Sequence, residues 1–369
     1  MQASERAGYW EEPTATTATC SIRPTRHHAK TGPKYACCVF SGALGIAVAA
    51  IHAGIALQAE PLIETGLAIL EESARWSGDD REIDVIGGSA GAIPLLIGIG
   101  RRFESQSLLD LAAQHGDELL ERSSRQQAPA ASSEAAAGEV EGWERCWKSP
   151  AFGSAGMTGY SHGAAGFVNA LLEVHRLTGK APYLEAAGEA LVFERRWFDA
   201  SQQNWLDLRS AAEGTPPMAA CAWCHGAPGI GLARLRTLEL LPDDRSIVEE
   251  IQSALMTTTR FLKSRLEPGN NFSLCHGLLG NSELPIAMNA REMSASEGLK
   301  AAGEVIQLGL EKYAFSHSPW KCGTNDGRSA PGLMLGTAGI GYALLRHRGP
   351  SATPSLLLLT PSLFESSNV

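Results

Sequence analysis

Cys224-His225-Gly226-Ala227-Pro228-Gly229 is one copy of a turn that the chain writes six times in outline. The shared element is Gly-x-x-Gly leading into an apolar run. The other copies are Gly42-Ala-Leu-Gly45, Gly88-Ser-Ala-Gly91, Gly163-Ala-Ala-Gly166, Gly277-Leu-Leu-Gly280 and Gly336-Thr-Ala-Gly339. Their first glycines are separated by 46, 75, 63, 51 and 59 residues. A lone Gly-x-x-Gly says little, but six at such intervals point to one supersecondary unit repeated. The stretches between them carry helical periodicity: Pro61–Trp76, Tyr183–Phe198, Ser246–Leu266 and Gly298–Phe315 set apolar residues about one turn apart among charges. Each unit therefore reads as a glycine turn, an inner apolar helix, a loop and an outer amphipathic helix. The expected fold class is all-α, built from helical hairpins. Periodicity alone leaves an open solenoid and a closed ring equally available.

The repeat organises the rest of the chain. Residues 1–32 are polar and read as a flexible tail, and 33–369 as a single domain. The run Ser123–Glu139 is poor in large apolar residues and is expected to form a loop. Leu356–Leu359 is an apolar patch near the end, expected to pack back on the core. Val39–Leu57 carries no charge and has the length of a membrane span. Its glycines, alanines and His52 fit a buried repeat helix better, so membrane association is not expected.

The formal charge is −9, which argues against nucleic acid as a partner. Eight cysteines without a secretory start suggest a reducing cytoplasm, where cysteine and histidine together read as metal or catalytic groups.

Aligning the copies on their first glycine places the chemistry. One residue before it stand Ser41, Gly87, His162, His225, His276 and Leu335. Two residues before it stand Phe40, Ile86, Ser161, Cys224, Cys275 and Met334. If the repeats share one geometry, three histidines and two cysteines converge. Cys224, Cys275 and His276 form a candidate zinc site, since zinc takes thiolate and imidazole, and three protein ligands leave a fourth position open. Inert buried cysteines are the plain alternative. Cys221-Ala-Trp-Cys224 also allows a redox pair or a closed four-ligand site. His162 has no cysteine before it and is the candidate acid or base; a hydrogen-bonded core histidine is its alternative. His225 is placed to face the site or orient a neighbour. Asp84 can steer a histidine or a substrate amine, or simply end the acidic run that begins at Asp79. Cys37-Cys38 reads as core.

The runs Ser161-His-Gly-Ala-Ala-Gly166, Trp223-Cys-His-Gly-Ala-Pro-Gly-Ile-Gly-Leu-Ala-Arg234, Leu274-Cys-His-Gly-Leu-Leu-Gly280 and Pro331-Gly-Leu-Met-Leu-Gly-Thr-Ala-Gly-Ile-Gly-Tyr342 together resemble the lanthionine synthetase cyclase family. The likeness spans roughly residues 35–360. The Cys-His-Gly form at 224–226 is closest to the cyclase domain of the bifunctional class II enzymes. The resemblance implies an α/α toroid, zinc on Cys224, Cys275 and His276, and His162 and Asp84 as acid/base groups. It further implies formation of thioether rings in a dehydrated precursor peptide with a leader. Family toroids have seven hairpins against six glycine copies here, and Ala220 stands where class I members carry arginine. No long segment precedes the first repeat, so a separate dehydratase is expected to supply the substrate. The rival readings are a zinc- and thiol-binding module without turnover, a fragment of a class II enzyme, and an unrelated α/α-barrel hydrolase.

Overall fold

Each of the six glycine turns becomes the N-terminus of a helix. Residues 36–76, 81–128, 142–148, 156–209, 216–264 and 270–365 are described in the computed structural model. The inner helices are α1 (Ala43–Ala56), α3 (Ser89–Arg102), α5 (Ala164–Thr178), α7 (Ala227–Leu240), the pair α9 (Leu278–Asn281) and α10 (Glu283–Asn289), and α12 (Thr337–Arg348). The first glycine of each copy is the N-cap residue. The second glycine has a common cause in all six. A Cβ at Gly45, Gly91, Gly166, Gly229, Gly280 or Gly339 would overlap the carbonyl oxygen of Val39, Val85, Tyr160, Trp223, Leu274 or Leu333 respectively. The chain folds back so closely that only a residue without a side chain fits.

Outer helices pack on the inner ones: α2 (Glu60–Arg75) on α1, α4 (Gln106–Glu121) on α3, α6 (Ala181–Arg196) on α5, α8 (Arg245–Ser264) on α7, and α11 (Ser296–Gly309) on α10. The two layers differ as the sequence requires. From Ser89 to Gly100 α3 is buried on every side. In α8 only one stripe is buried, including Ile247, Ile251, Ala254, Thr258 and Leu262, which recurs every three or four residues. Successive inner helices touch one another, α3 with α5, α5 with α7 and α7 with α10. The result is the double-layered toroid expected, mostly helical.

The turns are also tied to each other. Val39 N–H donates to Ile86 O (3.2 Å), Val85 to Ser161 (3.1 Å), Ser161 to Cys224 (3.3 Å), Cys224 to Cys275 (3.2 Å) and Cys275 to Met334 (3.0 Å). Five backbone bonds, one between each two successive repeats, thus join the six turns into a belt at one end of the inner layer.

The last repeat departs from the pattern. The segment after α12 returns across the earlier repeats instead of forming an outer helix. Leu357 O accepts from Trp223 Nε1 (2.8 Å), and Leu359 N–H donates to the Tyr160 hydroxyl (3.2 Å). Phe364, in α13 (Ser362–Glu365), lies against His52 of α1. Leu357, Leu358 and Leu359 are buried, so the apolar patch does pack back on the core. Cys37 and Cys38 are core residues.

The expectation of a loop over Ser123–Glu139 needs correcting at its start. Ser123–Gln127 is a strand, β1, paired antiparallel with β2 (Trp143–Trp147). The polar β1 carries no apolar alternation of its own; its partner supplies the anchor. Trp147 stacks on Phe167 (4.3 Å between centroids) and donates to Leu119 O (2.7 Å). Residues 129–141 lie outside the described residues, as do residues 1–35, which hold the expected tail. A second small sheet joins β3 (Phe198–Asp199), β4 (Asn204–Asp207) and β5 (Met218–Ala219). Among the described residues, no helix is long and apolar enough to cross a membrane.

Candidate metal centre and acid/base groups

Because Cys224 and Cys275 occupy the same slot in adjacent repeats, the belt bond between them sets their side chains beside each other, as neighbours across a strand pair are. The two side chains interact directly, each perturbing the other. The hydrogen bond from Cys275 lowers the pKa of Cys224 against the effect of burial, helped by the charges of Arg209 and His162. The same contact, with burial, pushes the Cys275 thiol upward. A thiol whose pKa is lowered yields more readily to the thiolate, the form that binds metal.

The histidine slot is graded. His225 is 2% exposed, and burial, with the charge of Arg209, pushes its pKa well down, so the ring is neutral. His162 stacks beside it with ring centroids 5.7 Å apart and 20% of its side chain exposed. Its Nδ1 lies 2.6 Å from Oδ2 of Asp84. A carboxylate can only accept, so Nδ1 carries the hydrogen and the ring is held in one orientation. Asp84 is itself fixed by the backbone N–H of Gly87, which donates to Oδ1 (2.7 Å). Asp84 is thus brought to His162 across 78 residues of chain.

His276 behaves differently. It is exposed. Its Nε2 sits beside Gly323, where a Cβ would come within 3.1 Å of it. Among the described residues, no group of three or more His, Cys, Asp and Glu side chains stands close enough to hold a metal ion. The donor chemistry of the thiol pair suits zinc, and His276 follows Cys275 directly in the chain. Cys221, three residues before Cys224, forms an isolated backbone bridge with Gly226, whose φ of +89° only glycine adopts readily. A cavity of about 510 Å³ lies in the outer layer, lined by Arg75, Arg81, His115, Glu118 and Arg122, and shares no residue with the thiol pair.

Two residues at the site are outside the repeat register. Asp207, at the end of β4, lies 4.0 Å from His225 Nδ1. Arg209 follows it and forks onto its carboxylate, with Nε 3.0 Å from both oxygens. Burial opposes the Asp207 charge, yet the hydrogen bond from Arg209 and the neighbouring charges hold its pKa below the usual range. Trp205-Leu-Asp-Leu-Arg209 offers no repeat signal, so nothing in the pattern marked either residue.

A family model described as lanthionine synthetase C-like protein matches residues 11–358. The chain belongs to the lanthionine synthetase C-like family. Among curated proteins it is similar to the lacticin 481/lactococcin biosynthesis protein LcnDR2 of Lactococcus lactis subsp. lactis. The two are 27% identical over 199 residues, which cover 52% of this chain and 20% of that protein. The chain therefore spans a minor part of the curated relative that it matches. Among solved structures it is similar to nisin cyclase, with a TM-score of 0.63 and 17% identity, over 92% of this chain and 84% of the other. At that identity the likeness establishes the toroid fold.

Proposed function

We propose that this chain is a zinc-dependent lanthipeptide cyclase. The observation that carries the reading is the pair of contacting thiols at Cys224 and Cys275, with the Asp84-held imidazole of His162 in the adjacent repeat. Cys224, Cys275 and His276 would hold the zinc in this reading. Bound zinc supplies a Lewis acid that keeps a peptide cysteine as its thiolate.

The substrate sulfur adds to the β-carbon of a dehydroalanine or dehydrobutyrine. A C–S bond forms, the C=C pair moves toward the carbonyl as an enolate, and the α-carbon then takes a proton. His162 delivers that proton, with Asp84 fixing its tautomer and stabilising its charged form. The neutral, buried His225 walls the site beside it. The product is a lanthionine or methyllanthionine ring. The substrate is a dehydrated precursor peptide with its leader, and a separate dehydration reaction generates its unsaturated residues. Cysteines that serve as metal ligands suit a reducing, cytoplasmic setting.

A second reading is a module that binds thiol peptides without turning them over, and the exposed position of His276 is the observation that favours it. Metal analysis of the purified chain and of His276→Ala, together with mass analysis of free thiols after incubation with a dehydrated peptide, separates the two. The cyclase reading expects zinc, its loss in His276→Ala, and consumption of peptide thiols. Zinc retained in His276→Ala removes that ligand; thiols left intact by the zinc-loaded wild type favour the binding module.

A further inference from the structure

We propose that Arg209 binds the carbonyl oxygen of the dehydroamino acid and stabilises the enolate during ring closure. This rests on the cyclase reading and adds to it a residue that no repeat motif contains. Addition of the thiolate to the β-carbon moves one electron pair into the new C–S bond and displaces the C=C pair onto the acceptor amide. Until the α-carbon is protonated, the negative charge sits largely on the carbonyl oxygen. A fixed donor at that oxygen is where such a reaction gains most. His162 is committed to the proton, and its Nδ1 to Asp84. A separate cationic donor is needed for the oxygen.

Arg209 has the position and the support for that task. Its charge reaches Cys224, Cys275 and His225. Asp207 anchors it with a fork of hydrogen bonds: Nε lies 3.0 Å from each oxygen, and Nη2 2.5 Å from Oδ2. Asp207 is in turn held from several sides. Its strand β4 pairs through Asp207 with Met218 of β5. The preceding Leu206 donates its N–H to Trp197 O (2.9 Å) and accepts from the Thr158 hydroxyl (2.6 Å). Thr158 is four residues before His162, so the acid/base turn and the arginine's strand are clamped together. The outcome is a continuous line of side chains: Asp84, His162, His225, Asp207, Arg209. The Arg209 side chain is 41% exposed, while Asp207 behind it is 13% exposed. Asp207 balances the guanidinium's charge in the resting state, and a carbonyl oxygen reaching its exposed side meets a planar, charged donor.

The test uses the full chain and a dehydrated peptide carrying one dehydroalanine and one cysteine. The expected result for Arg209→Gln is a kcat lowered about 10²–10³-fold with KM changed by less than about threefold, the pattern of a lost oxyanion donor. Arg209→Lys keeps a charge without the fork, and its kcat falls only about three- to tenfold. Zinc content stays at the wild-type level in both. Alkylation of the enzyme-bound peptide cysteine by iodoacetamide builds no enolate and keeps its wild-type rate. A kcat within twofold of wild type in Arg209→Gln overturns the proposal. So does an alkylation rate that falls as far as kcat, because the arginine would then act on the thiol. Should Arg209→Gln not fold, Arg209→Lys decides: lowered kcat with unchanged alkylation supports the proposal, and unchanged kcat overturns it. A zinc-loaded wild type that closes no ring overturns the cyclase reading and this inference together; a wild type that cyclises alongside an equally active Arg209→Gln overturns the inference alone.

Discussion

Arg234→Met is expected to lower stability by about 3–5 kcal/mol, the range for removing one partner of a buried ion pair. Arg234 is fully buried on α7 and donates to Glu194 Oε2 (2.7 Å) and also to Glu250. Glu250 keeps Arg195 as a partner after the change (2.5 Å), but Glu194, also fully buried, loses its main compensating charge. At ~2.1 cal/mol/K per residue, unfolding 369 residues carries an entropy of roughly 0.8 kcal/mol/K, so Tm falls by about 4–6 °C. The loss depends on pH. Burial already raises the pKa of Glu194 above its ordinary value, with Arg234 opposing it. Without Arg234 it rises further. A carboxyl whose folded pKa exceeds its unfolded one binds more protons when folded, so its stability deficit grows as pH rises through that interval. The gap between variant and wild type is therefore widest at pH 8 and narrows toward pH 5. Glu194 also accepts from the N–H groups of Gly159 (2.9 Å) and Ala165 (3.2 Å), which bracket His162, so under the proposed function ring closure is expected to weaken together with stability. Thermal unfolding by circular dichroism at both pH values measures this. Adding Glu194→Gln to Arg234→Met should restore more than half of the lost Tm. A Tm loss under 1 °C at pH 8, or a gap that widens on acidification, refutes the reasoning.

Two further predictions address the belt and the acid/base pair. Gly280→Ala forces a Cβ onto the Leu274 carbonyl just before Cys275 and is expected to cost about 1–3 kcal/mol or more; Gly303→Ala, in α11 with open space around it, gains about 0.5–1 kcal/mol. Denaturant titration of the two distinguishes them, and equal effects would mean that the second glycines are not there for close approach. His162→Asn is expected to keep its zinc and slow ring closure about 10²–10⁴-fold, with Asp84→Asn slowing it less; loss of zinc in His162→Asn would make this residue a ligand instead.

Much of the toroid was legible because its constraint is steric and local. A carbonyl folded against the second glycine excludes every side chain, so the turn repeats as Gly-x-x-Gly even where little else repeats. The contact of Cys224 with Cys275 was legible for the same reason, since equal register in adjacent repeats puts side chains side by side. Register does not fix a side chain's surroundings: His276 is exposed in the slot where His225 is buried. The strand Ser123–Gln127 was not legible because its stability comes from Trp147, twenty residues further on. Asp207 and Arg209 enter from β4, outside the repeat, so no alignment of the six copies reaches them. The Leu356–Leu359 patch announced its own burial but not its partners, Trp223 and Tyr160, which only the closed topology brings to it.

The most direct test measures zinc and peptide thiols on the same sample. Purified chain is assayed for metal, incubated with a dehydrated precursor peptide, and the remaining thiols are counted by alkylation and mass analysis, for the wild type and for Cys275→Ala. The account predicts about one zinc per chain and loss of one alkylatable thiol per ring in the wild type, and neither in Cys275→Ala. Ring closure at the wild-type rate in a Cys275→Ala protein free of metal would contradict it.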